Sequence, residues 1–252
     1  MFQAFPEAGE KCGLGSSHLT HLWSPNMKTI SIIFTFVTAF LSLWGKEKAH
    51  QMVYIYNKEV GGYQSQSRWV LTEKGDELRI EGKSSKGQTT IISSPDRQTK
   101  SFTFQSTNQQ NDYMIYRDGP YLIASGIAEG QPIEKSYNIR SKPWFQEFDF
   151  SLKPFILSQA QEIKFYIIHP KKMSMHHMVA KKREEEELIL NGKNYSTIKV
   201  KMSLTGFKGM FWSAQIWFDR TAGDLLKYVA NEGPNTPTGI ITLLSKKTAA
   251  SS

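Results

Sequence analysis

Residues 184–204 read EEEELILNGKNYSTIKVKMSL. The Asn191-Gly192 pair at their centre is the strongest short hairpin signal, because both central positions of the turn take positive φ. The return strand alternates cleanly. Ile198, Val200, Met202 and Leu204 fall on one face, and Lys199, Lys201 and Ser203 on the other. A two-residue period with one apolar side marks a sheet with one buried and one wet face. Antiparallel β structure is therefore the starting point.

The same pattern extends in both directions, with turn residues about every 8–12 positions, as in sandwiches and barrels. Strands are expected at 52–57, 63–73, 78–83, 89–93, 101–105, 113–116, 121–125 and, more weakly, 133–139. Further ones follow at 163–168, 184–190, 195–204, 210–219, 225–231 and 239–244. Residues 143–161 break the rhythm. They are rich in rings (Trp144, Phe145, Phe148, Phe150, Phe155) and lack period two. One or two helical turns are expected there, with Ser151 as N-cap and Pro154 in the first turn. The fold class that follows is mainly β. It is a single antiparallel, strongly curved sheet or partly open barrel over 50–246, with a short helical segment near 143–161, which manages the sheet's edges.

Ahead of this domain lies one apolar run, 29–45, TISIIFTFVTAFLSLWG. A spanning helix takes about 20 apolar residues and a signal-peptide core roughly 7–15, so the run suits export. Read from Met27, its flank is Met-Lys, positively charged as export requires. Residues 1–26 are then an upstream extension without structural role, 27–49 a signal peptide or N-terminal anchor, and 247–252 a frayed tail. Cleavage is left open, since Leu43-Trp44-Gly45 is a poor site. The location implied is the periplasm or cell envelope.

The chain carries net charge +8. The first 49 residues hold four basic and three acidic groups, so about +7 stays with the β domain. That balance favours anionic partners but is spread through strands, and it is no nucleic-acid signature. The single cysteine, Cys12, lies in the extension. The exported part therefore has no disulfide framework, cysteine nucleophile or thiolate metal site, and must be held by core burial.

Motifs for chemistry are sparse. His176 and His177 are adjacent, so a strand points them to opposite faces, and with His169 they lack metal-ligand spacing. No phosphate loop, dinucleotide fingerprint or nucleophile elbow occurs. The expectation is no cofactor, no metal and no catalytic residue. Glu147 and Asp149 are read as exposed between inward-facing rings. The block KKREEEE at 181–187 reads as a solvated hairpin end or edge strand, where charge discourages sheet-to-sheet pairing. The excess of rings is more informative. Residues 207–219 carry large rings on both faces, Phe211 and Trp217 on one and Trp212 and Phe218 on the other. Both faces are then covered, or one lines a concavity.

Several segments in order carry a resemblance: LKPFILS at 152–158, His169-Pro170, the hairpin, AQIWFD at 214–219, GDLLKY at 223–228 and GPNTPTGIITLL at 233–244. Together they are similar to a group of exported bacterial proteins of unknown function, many of them periplasmic. The resemblance implies an antiparallel β fold, loosely like the lipoprotein-localisation (Lol-type) half-barrels, and transfers no catalytic residues. The function expected is a non-enzymatic envelope protein that binds an apolar ligand or lipid in a concave face lined by Trp144, Phe148, Trp212 and Trp217. The alternative is an assembly protein that binds another envelope protein through its charged edge. A third reading is a hydrolase with a dispersed site. Peripheral membrane association fits the charge; nucleic acid does not.

Overall fold

The computed structural model describes residues 50–210, 212–231 and 236–249. The expected extension and leader lie outside the described residues. Eight strands run from the N-terminal side: β1 (His50–Val60), β2 (Tyr63–Lys74), β3 (Glu77–Ser84), β4 (Gly87–Ser93), β5 (Thr99–Ser106), β6 (Asp112–Asp118), β7 (Tyr121–Ala128) and β8 (Gln131–Asn138). A strap containing two short helices follows, α1 (Phe148–Ser151) and α2 (Lys153–Leu157). Six strands complete the chain: β9 (Glu162–Ile168), β10 (Met175–Leu190), β11 (Lys193–Leu204), β12 (Ser213–Asp219), β13 (Leu225–Asn231) and β14 (Thr238–Thr248).

All fourteen form one antiparallel sheet in the order β8-β7-β6-β5-β4-β3-β2-β1-β14-β13-β12-β11-β10-β9. Every neighbour is a sequence hairpin except β1 and β14, which join two meanders at the centre. The sheet curls until its ends meet, although it does not close into a barrel. Tyr137 Oη on β8 hydrogen bonds the carbonyl of Met173, in the turn after β9, and Lys135 Nζ lies 3.4 Å from the same carbonyl.

Alternation sets the burial. Ser67, Trp69 and Leu71 on β2, Leu78 and Ile80 on β3, and Val200, Met202 and Leu204 on β11 all point inward. The key hairpin forms as read, with Asn191 at φ 52° and Gly192 at φ 74°. Its Asn191 side chain reaches β14, donating to the carbonyls of Leu243 at 3.0 Å and Leu244 at 3.2 Å. Gly82 marks a close approach: a Cβ there would stand 2.4 Å from the indole of Trp69.

The helical segment differs from expectation in one detail. Ser151 lies inside α1 rather than capping a helix, and Leu152 holds the N-cap position of α2 with no side-chain cap bond. Burial supplies what capping does not, since Leu152 is fully enclosed.

Candidate functional site

The strap, 139–161, links the two free ends of the sheet and fills its concave side. It first pairs with β9: the N–H of Phe145 donates to Tyr166 O at 3.0 Å, and the N–H of Tyr166 to Pro143 O at 2.8 Å. The carbonyl of Trp144 accepts from Thr99 N on β5 at 2.9 Å, so the strap bridges two strands distant in the sheet. Gln146 completes the join. Its amide donates to Ile168 O at 2.7 Å and accepts from Ile168 N at 3.0 Å, as a peptide group of a neighbouring strand would. It also accepts from Trp144 Nε1 at 2.9 Å.

The rings of the strap then pack on an aromatic floor. Phe150 meets Tyr54 edge-on at 5.5 Å and Trp69 at 5.6 Å, and Phe148 lies 6.1 Å from Tyr228. Such pairs add about 0.5–1.5 kcal/mol each beyond their burial. Past them, Asp224 accepts from Tyr54 Oη at 3.2 Å and pairs with Lys153 at 3.4 Å and with Lys246. This ties the strap to the turn between β12 and β13.

Within this dry region sit Glu147 and Asp149, 5% and 2% exposed. The sequence reading placed them at the surface. They are buried along with the rings between which they sit. Among the described residues neither carboxylate oxygen of Asp149 has a hydrogen-bond partner. Burial pushes the Asp149 carboxyl well above the usual carboxylate range, and the Glu147 charge adds to that. Burial raises Glu147 as well. Folding thus favours the protonated form of Asp149. Its contribution to stability is complete below the unfolded carboxyl range and is lost as pH climbs through the raised folded value. Asn at 149 cannot ionise, so Asp149→Asn is expected to raise the melting temperature more at neutral than at weakly acidic pH. It should also flatten the decline in melting temperature between weakly acidic and neutral pH, followed by thermal denaturation across that range.

A cleft of about 70 Å³ remains near the turns joining β1 to β2 and β3 to β4, lined by Lys58, Ser67, Trp69, Gly82, Thr89 and Phe104. Ligand pockets begin at about 300 Å³. Trp69 stands between this cleft and Phe150, so one indole separates the cleft from the strap's core.

The four expected lining residues fall in different places. Trp144 and Phe148 belong to the strap itself and are both enclosed. Trp212, ahead of β12, is 2% exposed and donates Nε1 to Asn231 O at 3.0 Å. Trp217 alternates with the inward Ile216, which puts it on the outer face. There Lys199 and Lys227 lie over its ring at 5.3 and 5.2 Å, and its Nε1 hydrogen bonds Glu186. Gln146 and Asp149 were missed as site residues, and Trp69 gave no signal apart from its ring. His177 stacks on Tyr166 at 4.8 Å, while His169 and His176 lie 5.9 Å apart. Burial, followed by the charges of Lys172 and Lys171, lowers His169 to about 4. Among the described residues no three of His, Cys, Asp or Glu are grouped to hold a metal. No helix among them is long and apolar enough to cross a membrane.

No protein-family model matches the chain, and no curated protein does. Solved structures do. A β-barrel-like protein of the domain of unknown function DUF1849 from Brucella abortus matches at TM-score 0.54 and 8% identity, over 81% of this chain and 99% of that one. That likeness shows the fold. Looser overlaps include the complex of Pseudomonas aeruginosa MucA and MucB, at TM-score 0.38 and 11% identity over 82% of this chain and 54% of that one. A LolA superfamily protein from Nitrosomonas europaea overlaps at TM-score 0.26 and 9% identity, over 81% and 87%.

Proposed function

We propose that this is a binding protein of the cell envelope, not an enzyme, and that its ligand is an apolar chain such as a lipid or lipoprotein acyl group. The chain is taken up on the concave face as the strap lifts. The observation that carries this reading is Asp149, an enclosed carboxyl without a hydrogen-bond partner among the described residues, in a strap whose rings pack on the concave face. Such a group makes the closed strap costly to hold once it ionises. The strap's rings make the apolar part of the closure, which an acyl chain can replace surface for surface.

In this reading the ligand's leading end enters the cleft beside Trp69 and displaces Phe150. Trp144 and Phe148 move with the strap and flank the bound chain, and Trp212 meets it near the opposite end of the sheet. Trp217 stays outside. The apolar run at 29–45 supports an envelope location, because it suits export. The test is to incubate the full chain with a membrane extract of its own host, repurify it, and analyse extracted molecules by mass spectrometry. A stoichiometric lipid, retained less well by Asp149→Asn because the strap no longer opens, is expected. Protein that returns clean from the extract refutes the proposal.

A further inference from the structure

The cleft beside Trp69 is apolar on one side and cationic on the other. Lys58 alternates with the buried Tyr54 and Tyr56 on β1, so its side chain turns to the concave face. Ser67 on β2 stands opposite Ser84 on β3, one inward position from the Trp69↔Gly82 pair. Lys83 and Lys86 line the cleft from the exposed end of β3 and the turn after it. Among the described residues that line it, three are lysines and none is a carboxylate. Glu59 and Glu81, the acids nearest in sequence, alternate to the outer face, where Glu81 pairs with Arg79 at 3.0 Å.

The hydroxyls of this corner are set to donate. Ser67, 9% exposed, accepts from Trp69 Nε1 at 3.3 Å, and Ser84 Oγ accepts from Lys86 N at 3.2 Å. Each keeps its own O–H hydrogen to give. An ammonium likewise has donors and no acceptor. A pocket of donors with a cationic excess is matched by a group that only accepts and carries negative charge. We infer that the cleft is the headgroup site of the ligand, and that the ligand is an anionic amphiphile ending in a carboxylate or phosphate. This rests on the proposed function, in which an apolar chain runs past Trp69 towards Phe150. A cleft of about 70 Å³ is far below the size of a whole-ligand pocket, so it holds the polar end alone while the chain takes the concave face. The ligand's orientation follows: charge at the turns joining β1 to β2 and β3 to β4, chain under the strap.

The full chain can be titrated calorimetrically with dodecyl phosphate, dodecanoate, dodecanol and inorganic phosphate, each amphiphile below its micelle-forming concentration. Both anionic amphiphiles are expected to bind about tenfold more tightly than dodecanol, with an advantage that shrinks as salt rises. Lys58→Gln should remove most of that advantage and leave dodecanol binding unchanged. Lys86→Gln, in an exposed turn, should act the same way at unchanged melting temperature. Lys201→Gln, an exposed lysine on β11, removes the same charge elsewhere and should have no effect. Equal binding of the anions and dodecanol, or an advantage untouched by Lys58→Gln and Lys86→Gln, overturns the headgroup site while the apolar ligand stands. Inorganic phosphate bound as tightly as dodecyl phosphate, and weakened by Lys58→Gln, leaves an anion site and refutes the apolar ligand. Binding of none of the four refutes both.

Discussion

Trp144→Ala is expected to destabilise the protein by about 3–5 kcal/mol, the range for removing an enclosed large aromatic side chain. For a domain of this size that lowers the melting temperature by roughly 6–20 °C. The indole is fully buried, and its Nε1 orients the Gln146 amide that clamps the strap to Ile168. Loss of the ring therefore removes packing and loosens a polar join together. Hydrogen exchange distinguishes this from general softening. Amides of β9, which the strap covers, should exchange faster, while those of β1 and β14 at the centre of the sheet keep their protection. A variant with wild-type stability would show that the strap is held by other contacts.

The strap is also where the sequence was least legible. In β11, alternation is complete because one face is dry and the other wet, and the observed strand matches the expected one closely. β8 gave a weak signal for a physical reason: nearly every position on it is exposed, so neither face demands apolar residues. The first half of β10 was foreseen only in part, with its strand placed from 184 onward. His176, His177, Lys181 and Lys182 hide the inward positions Met178 and Ala180 among polar neighbours. At 143–161 the ring content announced burial, but no periodicity told which of the intervening residues would be buried with the rings. Glu147 and Asp149 were read by their charge, whereas their burial comes from the sheet curling around the strap. Gln146 carries no local signature at all. Its role exists only because the chain returns past Ile168.

The small cleft beside Trp69 bears directly on the second large expected effect. Trp69→Ala should cost about 3–5 kcal/mol, since the ring is 2% exposed and rests on Gly82 on one side and Phe150 on another. Gly82 has no side chain to expand into the vacancy, so little relaxation is available from β3. The space left by the indole instead joins the cleft of about 70 Å³ to the strap's core. Under the proposed function this variant is less stable yet more receptive. It should bind a medium-length fatty acid or an apolar fluorescent dye at concentrations where the wild-type chain shows little uptake. The two effects oppose each other in a single measurement, because a ligand that binds only the folded state raises its melting temperature by mass action. Melting temperature measured against ligand concentration should therefore rise more steeply for Trp69→Ala than for wild type. Parallel curves would mean that the indole separates nothing, and that the concave face is solid core.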